Sequence, residues 1–95
     1  MKTLKNCINE IISNKDNFAS GDFFDSHTVI NELMINKEYF FAYLNEYPKG
    51  TPINEWHSTI AKMIGESNLV EKMDFKIKTQ TVFDKISENQ VWKKL

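Results

Sequence analysis

The segment from residue 51 to residue 66, TPINEWHSTIAKMIGE, carries the most complete helix pattern in this sequence. Thr51 is a suitable N-cap, because its hydroxyl can accept a hydrogen bond from a free backbone N–H group of the first turn. Pro52 suits the first helical position, where its missing N–H removes no bond, and Gly65 suits a left-handed C-terminal cap. Apolar side chains at helical spacing form one stripe between these ends: Ile53, Trp56, Ile60, Met63 and Ile64. We therefore predict a central core helix over residues 52–64.

Other parts of the chain also have apolar residues at three- and four-residue spacing, which predicts helices. These stretches are residues 3–15, 26–36 and 38–47. The spacing is equally compatible with one long helix from residue 26 to residue 47. We favour a break at Asn36–Lys37, because Asn36 can cap a new helix and Lys37 interrupts the apolar stripe. Residues 16–25 are predicted to form a loop, with Asp25 or Ser26 capping the next helix.

The periodicity changes in the C-terminal third. Apolar residues and lysines alternate within residues 74–83, which predicts a strand, and residues 69–73 are a candidate partner for it. Ser87 and Gln90 have the spacing of a capping box, which predicts a final helical turn that docks through Trp92.

These elements predict a mainly α fold, with four to five short helices packed around the 52–64 helix and a small C-terminal β element. A winged-helix-like arrangement is compatible with this order of elements. The 95 residues are close to the common size of one domain, so we expect residues 1–95 to form a single domain.

Composition narrows the functional classes. The chain contains no arginine, and its 12 basic residues are balanced by 13 acids. The side chain that reads guanine and grips phosphates bidentately is therefore missing. The single cysteine, Cys7, fits a reducing compartment. The first ten residues lack the apolar region of a signal peptide, and no apolar run is long enough to span a bilayer. We expect a cytoplasmic protein without membrane contact.

The sequence contains no recognisable catalytic or cofactor-binding pattern. His27, His57 and Cys7 have none of the spacings that zinc ligands usually show. Serines lie next to both histidines, but helix neighbours one position apart point away from each other and cannot form a nucleophile–base pair. Three glycines are too few for a phosphate-binding loop. We expect a non-catalytic protein with no cofactor, no metal and no small-molecule substrate.

The aromatic segment EYFFAYLNEY, residues 38–47, is apolar around much of its circumference. Such a helix is buried on more than one side or covered by a partner. We therefore predict a small binding or regulatory module that acts through protein–protein contacts or self-association. The candidate contact residues are Tyr39, Tyr43 and Tyr47. A protein partner or a second copy is favoured over nucleic acid.

The alternative is a winged-helix-like nucleic-acid-binding protein, since the lysines of the C-terminal third can neutralise phosphates. Its candidate contact residues are Lys62, Lys72, Lys76 and Lys78. The exposed side of the 52–64 helix weakens this alternative, because it offers one cation, Lys62, and an acid, Glu55, that repels phosphate.

Overall fold

The computed structural model describes the backbone of residues 2–80 and 86–95, and the side chains of residues 2–78 and 89–95. About half of the chain is helical, and the remaining regular structure is a small antiparallel sheet. In chain order the described elements are α1 (Leu4–Ser13), β1 (Phe23–Asp25), α2 (Ser26–Ile35), α3 (Lys37–Glu46), α4 (Ile53–Gly65), β2 (Val70–Gln80) and β3 (Ile86–Lys94).

Short polar side chains define where the first three helices begin. The Thr3 hydroxyl accepts from the Asn6 N–H at the start of α1, and the Asp25 carboxylate accepts from the Thr28 N–H at the start of α2. Asn36 follows α2 in an extended conformation and caps α3 by accepting from the Glu38 N–H. Residues 26–46 therefore form two helices, because an extended residue with a competing side-chain acceptor interrupts the helical hydrogen bonds.

Two details of the predicted 52–64 helix are wrong. α4 has Pro52 at its N-cap, and no side chain caps it, so Thr51 does not have the predicted role. Gly65 does not adopt a left-handed conformation, since the positive φ angles occur at Gly21 and Gly50. Gly65 lies against Trp92 instead: a Cβ at this position would be 2.9 Å from Trp92 Cη2. The absence of a side chain here permits close packing, not a turn.

The C-terminal segment differs most from the prediction. The residues predicted as a final helical turn belong to β3, the middle strand of a sheet with order β1-β3-β2. β3 pairs antiparallel with β1, where Phe24 lies opposite Trp92, and with β2 along most of its length. The predicted loop at residues 16–25 contains β1, and the predicted partner at residues 69–73 is largely part of β2 itself. Pairing on both sides stabilises β3 more than one capped turn would stabilise a helix.

β2 contains an irregularity where it crosses Trp92. Lys72 pairs with Trp92 and Lys76 pairs with Gln90, so three residues of β2 lie opposite one residue of β3, Val91. The Gln90 side-chain amide donates to the backbone carbonyl of Met73 at 2.8 Å and thereby satisfies a carbonyl within the irregular segment.

One apolar cluster joins the helices and the inner face of the sheet. α2 packs against α1, α3, α4, β1 and β3, whereas α4 makes its main contacts with α1, α2 and β2. The prediction that the helices pack around the 52–64 helix is therefore corrected, because α2 has the more central position. The largest fully buried side chains of the cluster come from three helices and include Leu4, Ile8, Ile11, Ile12, Ile30, Leu33, Ile60 and Ile64.

Candidate interaction surfaces

The three candidate tyrosines lie on the side of α3 that packs against the core. Tyr43 is 2% exposed, so it contributes no contact surface and the prediction is wrong for this residue. Tyr39 and Tyr47 are partly buried and pack against the core cluster. The Tyr47 hydroxyl donates to the Thr51 carbonyl at 2.8 Å and so ties the end of α3 to the loop before α4. These side chains mainly hold helices together.

Tyr43 is the centre of an aromatic cluster between α3 and α4. Its hydroxyl lies 2.9 Å from His57 Nε2. Its ring stacks on Phe40, with centroids 5.7 Å apart, and lies 6.0 Å from Trp56. Tyr47 contacts both Tyr43 and Trp56. Aromatic pairs at these distances add stability beyond the area that they bury.

Burial sets the protonation states within this cluster. It lowers the pKa of His57, and the charge of nearby His27 lowers it further. Burial also raises the pKa of the Tyr43 phenol. At neutral pH the hydrogen bond therefore joins a neutral imidazole and a neutral phenol. Both groups are buried, and their hydrogen bond joins α3 to α4.

The sequence prediction missed the apolar residues on the solvent side of α3. Phe41 is 56% exposed and Leu44 is 50% exposed. They are three positions apart, so their side chains lie on one side of the helix. Partly buried Phe40 and Tyr47 flank them and connect them to the core. We call Phe41 and Leu44 the α3 face. The all-round apolar character of residues 38–47 indicated such a face, but it did not indicate which side would remain exposed.

The four candidate lysines are all exposed. Lys62 lies in α4, and the other three lie in β2. Lys72 pairs with Trp92 and Lys76 pairs with Gln90, which places Lys72, Lys76 and Lys78 on the sheet face that carries Trp92. This is the face that packs against the helices. The lysines are thus on the same side of the sheet as α4.

The solvent side of α4 has little capacity to read nucleic-acid bases. The hydroxyl of Ser58 donates to the Asn54 carbonyl at 3.0 Å, and the hydroxyl of Thr59 donates to the Glu55 carbonyl at 3.1 Å. Both hydroxyl protons are therefore used within the helix. Lys62 is the cation on this side, and exposed Glu55 opposes phosphate binding.

A second apolar surface lies on the side of the sheet that faces away from the helices. The rings of Phe23 and Phe75 are 6.2 Å apart. Val91 is 1% exposed although it lies outside the main core cluster. Ile77 pairs with Asn89, two residues from Val91, and so shares this face. We call the exposed residues Phe23, Phe75 and Ile77 the outer sheet face, and Val91 is a buried residue on the same side of the sheet.

Among the described side chains, those of residues 2–78 and 89–95, no three His, Cys, Asp or Glu residues come together in an arrangement that could hold a metal ion. Cys7 is buried, and burial together with the negative charge of Glu10 raises the pKa of its thiol. An open cleft of about 380 Å³ is lined by five polar residues and one leucine: Lys2, Asn6, Asn9, Glu10, Ser13 and Leu69.

No helix in the described part of the chain has the length and apolar character needed to cross a membrane. Comparison with known proteins gives no relative: no family model matches the sequence, and neither a curated protein nor a solved structure matches it.

Proposed function

We propose that this chain is a small non-catalytic binding module that acts through contact with another protein chain, either a partner or a second copy. The α3 face is the observation that supports this proposal most directly. Phe41 and Leu44 are each about half exposed, and each would gain stability by leaving water. Scattered single apolar residues are common on protein surfaces, but adjacent ones on one helix side are typical of contact surfaces.

The surroundings of the α3 face also fit a protein partner. Lys37, Glu38 and Asn45 are exposed on the same helix and provide a polar rim. Interfaces commonly combine an apolar centre with such a rim. The face rests on a rigid base, because the buried side of α3 is fixed by the Tyr43 cluster. A partner helix that lays its apolar side along α3 would cover Phe41 and Leu44 together.

Affinity capture from the native cell tests this proposal with a matched pair of variants. Phe41→Ser/Leu44→Ser removes the apolar surface at exposed positions, so the fold should persist, and circular dichroism checks that it does. Ile35→Ser is the control, because Ile35 is exposed but lies in α2. We expect the double variant to lose partners that the wild type and the control both capture. Identical capture by all three proteins would refute the role of the α3 face.

A winged-helix-like nucleic-acid-binding protein is the second candidate. Two observations support it: α4 is followed by two antiparallel strands, β2 and β3, and β3 lies between β1 and β2. The exposed lysines on the helix side of the hairpin, with Lys62 on α4, would contact phosphates. A fluorescence titration with duplex DNA at low salt tests it. Binding that weakens in Lys76→Gln/Lys78→Gln would support the nucleic-acid-binding function. The absence of binding at micromolar protein concentration would refute it.

We place the protein in the cytoplasm. The single cysteine supports this location, because Cys7 is a buried free thiol and free thiols persist in reducing compartments. Mass spectrometry of native protein after alkylation under denaturing conditions would show one reduced cysteine, and an intermolecular disulfide at Cys7 would contradict the assignment.

A further inference from the structure

A row of lysines lies along the helix side of β2. Lys72, Lys76 and Lys78 pair with residues 92, 90 and 88 of β3, respectively. These partners are alternate residues of β3, so consecutive lysines lie about 6.8 Å apart along the ladder. We call these three residues the β2 lysine row.

The irregular segment of β2 produces this even spacing. Residues 73–75 all lie opposite Val91, so the ladder advances by two β3 positions between Lys72 and Lys76. A regular strand would separate these two lysines by four positions and would place Asp74 midway between them in the row. In the structure Asp74 forms no ion pair with either lysine. The irregularity therefore brings three cations together without an acid paired to them.

The acids around the row offset little of its charge. All three lysines are exposed, and none forms an ion pair within the described side chains. The residues opposite Lys72 and Lys76 are uncharged, whereas Glu88 lies opposite Lys78 in the ladder. An acid directly across an antiparallel ladder attracts the lysine that faces it. We therefore expect Lys72 and Lys76 to contribute most to the binding of an anion.

We propose that the β2 lysine row binds the phosphate backbone of a nucleic acid without reading its bases. This inference rests on the second candidate function and narrows it, because it places the contact on the sheet instead of on α4. The spacing of the row is close to that of successive phosphates along one strand, so each lysine neutralises one phosphate. The chain has no arginine, and Ser58 and Thr59 of α4 use their hydroxyl protons within the helix. The contact is therefore independent of base sequence.

The salt dependence of binding tests the inference. Fluorescence anisotropy is measured with the full chain and a labelled thymidine oligonucleotide or a labelled duplex of mixed sequence, beginning at low salt because the net charge of the chain is −1. Three neutralised phosphates predict a slope of log K against log salt of about −2 for the single strand and about −2.7 for the duplex. Lys72→Gln and Lys76→Gln should each reduce the size of this slope by about 0.7–0.9, and Lys78→Gln should reduce it less.

Lys15→Gln is the matched control, because Lys15 is exposed in the segment between α1 and β1. It should leave the slope unchanged, and circular dichroism verifies that all variants fold. A loss of slope in this control equal to that in Lys72→Gln would overturn the inference, since any surface lysine would then contribute. Binding of either nucleic acid with the predicted slopes supports it, and the relative affinities identify the preferred form.

The remaining outcomes separate this inference from the proposed function. Binding that weakens in Lys62→Gln but not in Lys72→Gln or Lys76→Gln would overturn the lysine row and retain the second candidate function. The absence of binding to both nucleic acids would overturn the row and the second candidate together, and it would leave the α3 face untouched. Binding of polyglutamate without binding of nucleic acid would also overturn the inference, because the row would then recognise an acidic protein segment.

Discussion

The Tyr43 hydroxyl lies 2.9 Å from His57 Nε2 at the buried contact between α3 and α4. This hydrogen bond fixes the relative position of two helices joined by a loop that contains Pro48 and Gly50. It also accounts for a tyrosine hydroxyl and a histidine nitrogen in the interior, because each satisfies a polar atom of the other.

Removing the hydroxyl should destabilise the fold. Tyr43→Phe keeps the ring contacts but withdraws this partner from buried His57 Nε2, which should cost about 1–3 kcal/mol of unfolding free energy. Urea denaturation measures the loss. Tyr39→Phe is the matched control, because its hydroxyl makes no hydrogen bond within the described residues and its removal should cost below about 0.5 kcal/mol. Equal losses in the two variants would show that the hydrogen bond contributes nothing.

Stability should fall in mild acid because of His57. Burial and the charge of His27 lower its pKa in the folded chain below the ordinary value of 6.5. As pH falls, the unfolded chain therefore binds the proton first. The stability that neutral His57 contributes is fully present above pH 6.5 and is lost as pH falls through the pKa of His57 in the folded chain. Melting temperatures between about pH 7.5 and pH 5 measure the effect.

His57→Gln isolates the histidine contribution from the titration of the carboxylates. Glutamine does not ionise in this range and can still reach a hydrogen-bond partner. The melting temperature of the His57→Gln variant should therefore depend less steeply on pH than that of the wild type. His27→Gln serves as the comparison, since it removes a neighbouring charge and should leave a smaller but still measurable His57 effect. Parallel curves for the wild type and His57→Gln would disprove the assignment.

Gly65 should resist substitution although it lies in a helix. Gly65→Ala places a methyl group 2.9 Å from Trp92 Cη2, and overpacking of a core contact typically costs about 1–3 kcal/mol. Trp92→Phe removes that ring atom. In the Trp92→Phe background, Gly65→Ala should therefore be neutral or slightly stabilising, because alanine favours helix. A double-mutant cycle measured by thermal unfolding gives the coupling, and additive effects would contradict the packing explanation.

The boundary between α2 and α3 should depend on Asn36. Asn36→Ala removes the oxygen that accepts from the Glu38 N–H, and the loss of an N-cap costs about 0.5–2 kcal/mol. Asn45→Ala is the control, because Asn45 is exposed in the last turn of α3, far from its N-cap. If the two variants are equally stable in urea, Asn36 does not act as a cap.

Local signals predicted the helices well and the sheet poorly. Caps such as Asn36 and Asp25 act within three residues, so the sequence shows them directly. The strands that pair with β3 are distant from it in sequence: Trp92 pairs with Phe24 on one side and with Lys72 on the other. The spacing of Ser87 and Gln90 therefore suggested a helical turn, because nothing local reveals strand partners that far apart.

The difference between local and long-range signals also explains which site predictions agree with the structure. The aromatic content of residues 38–47 correctly indicated an apolar surface, but it could not decide which residues face the core. Tyr43 is buried because His57 and Trp56 of α4 lie on its side, whereas Phe41 and Leu44 have no described neighbour helix to cover them. The alternation along β2 predicted a strand, but it did not show that Lys72, Lys76 and Lys78 would lie on the helix side of the sheet and Ile77 on the outer side. The function itself stays a proposal.

The position of β3 imposes an order on biosynthesis. The middle strand of the sheet is translated after both of its neighbours, so β1 and β2 emerge from the ribosome with nothing to bridge them. Trp92 therefore reaches its place beside Gly65 and Ser26 only after α1 to α4, β1 and β2 have been made. A nascent chain that stops before residue 86 lacks β3, so its β1 and β2 have no strand between them to pair with.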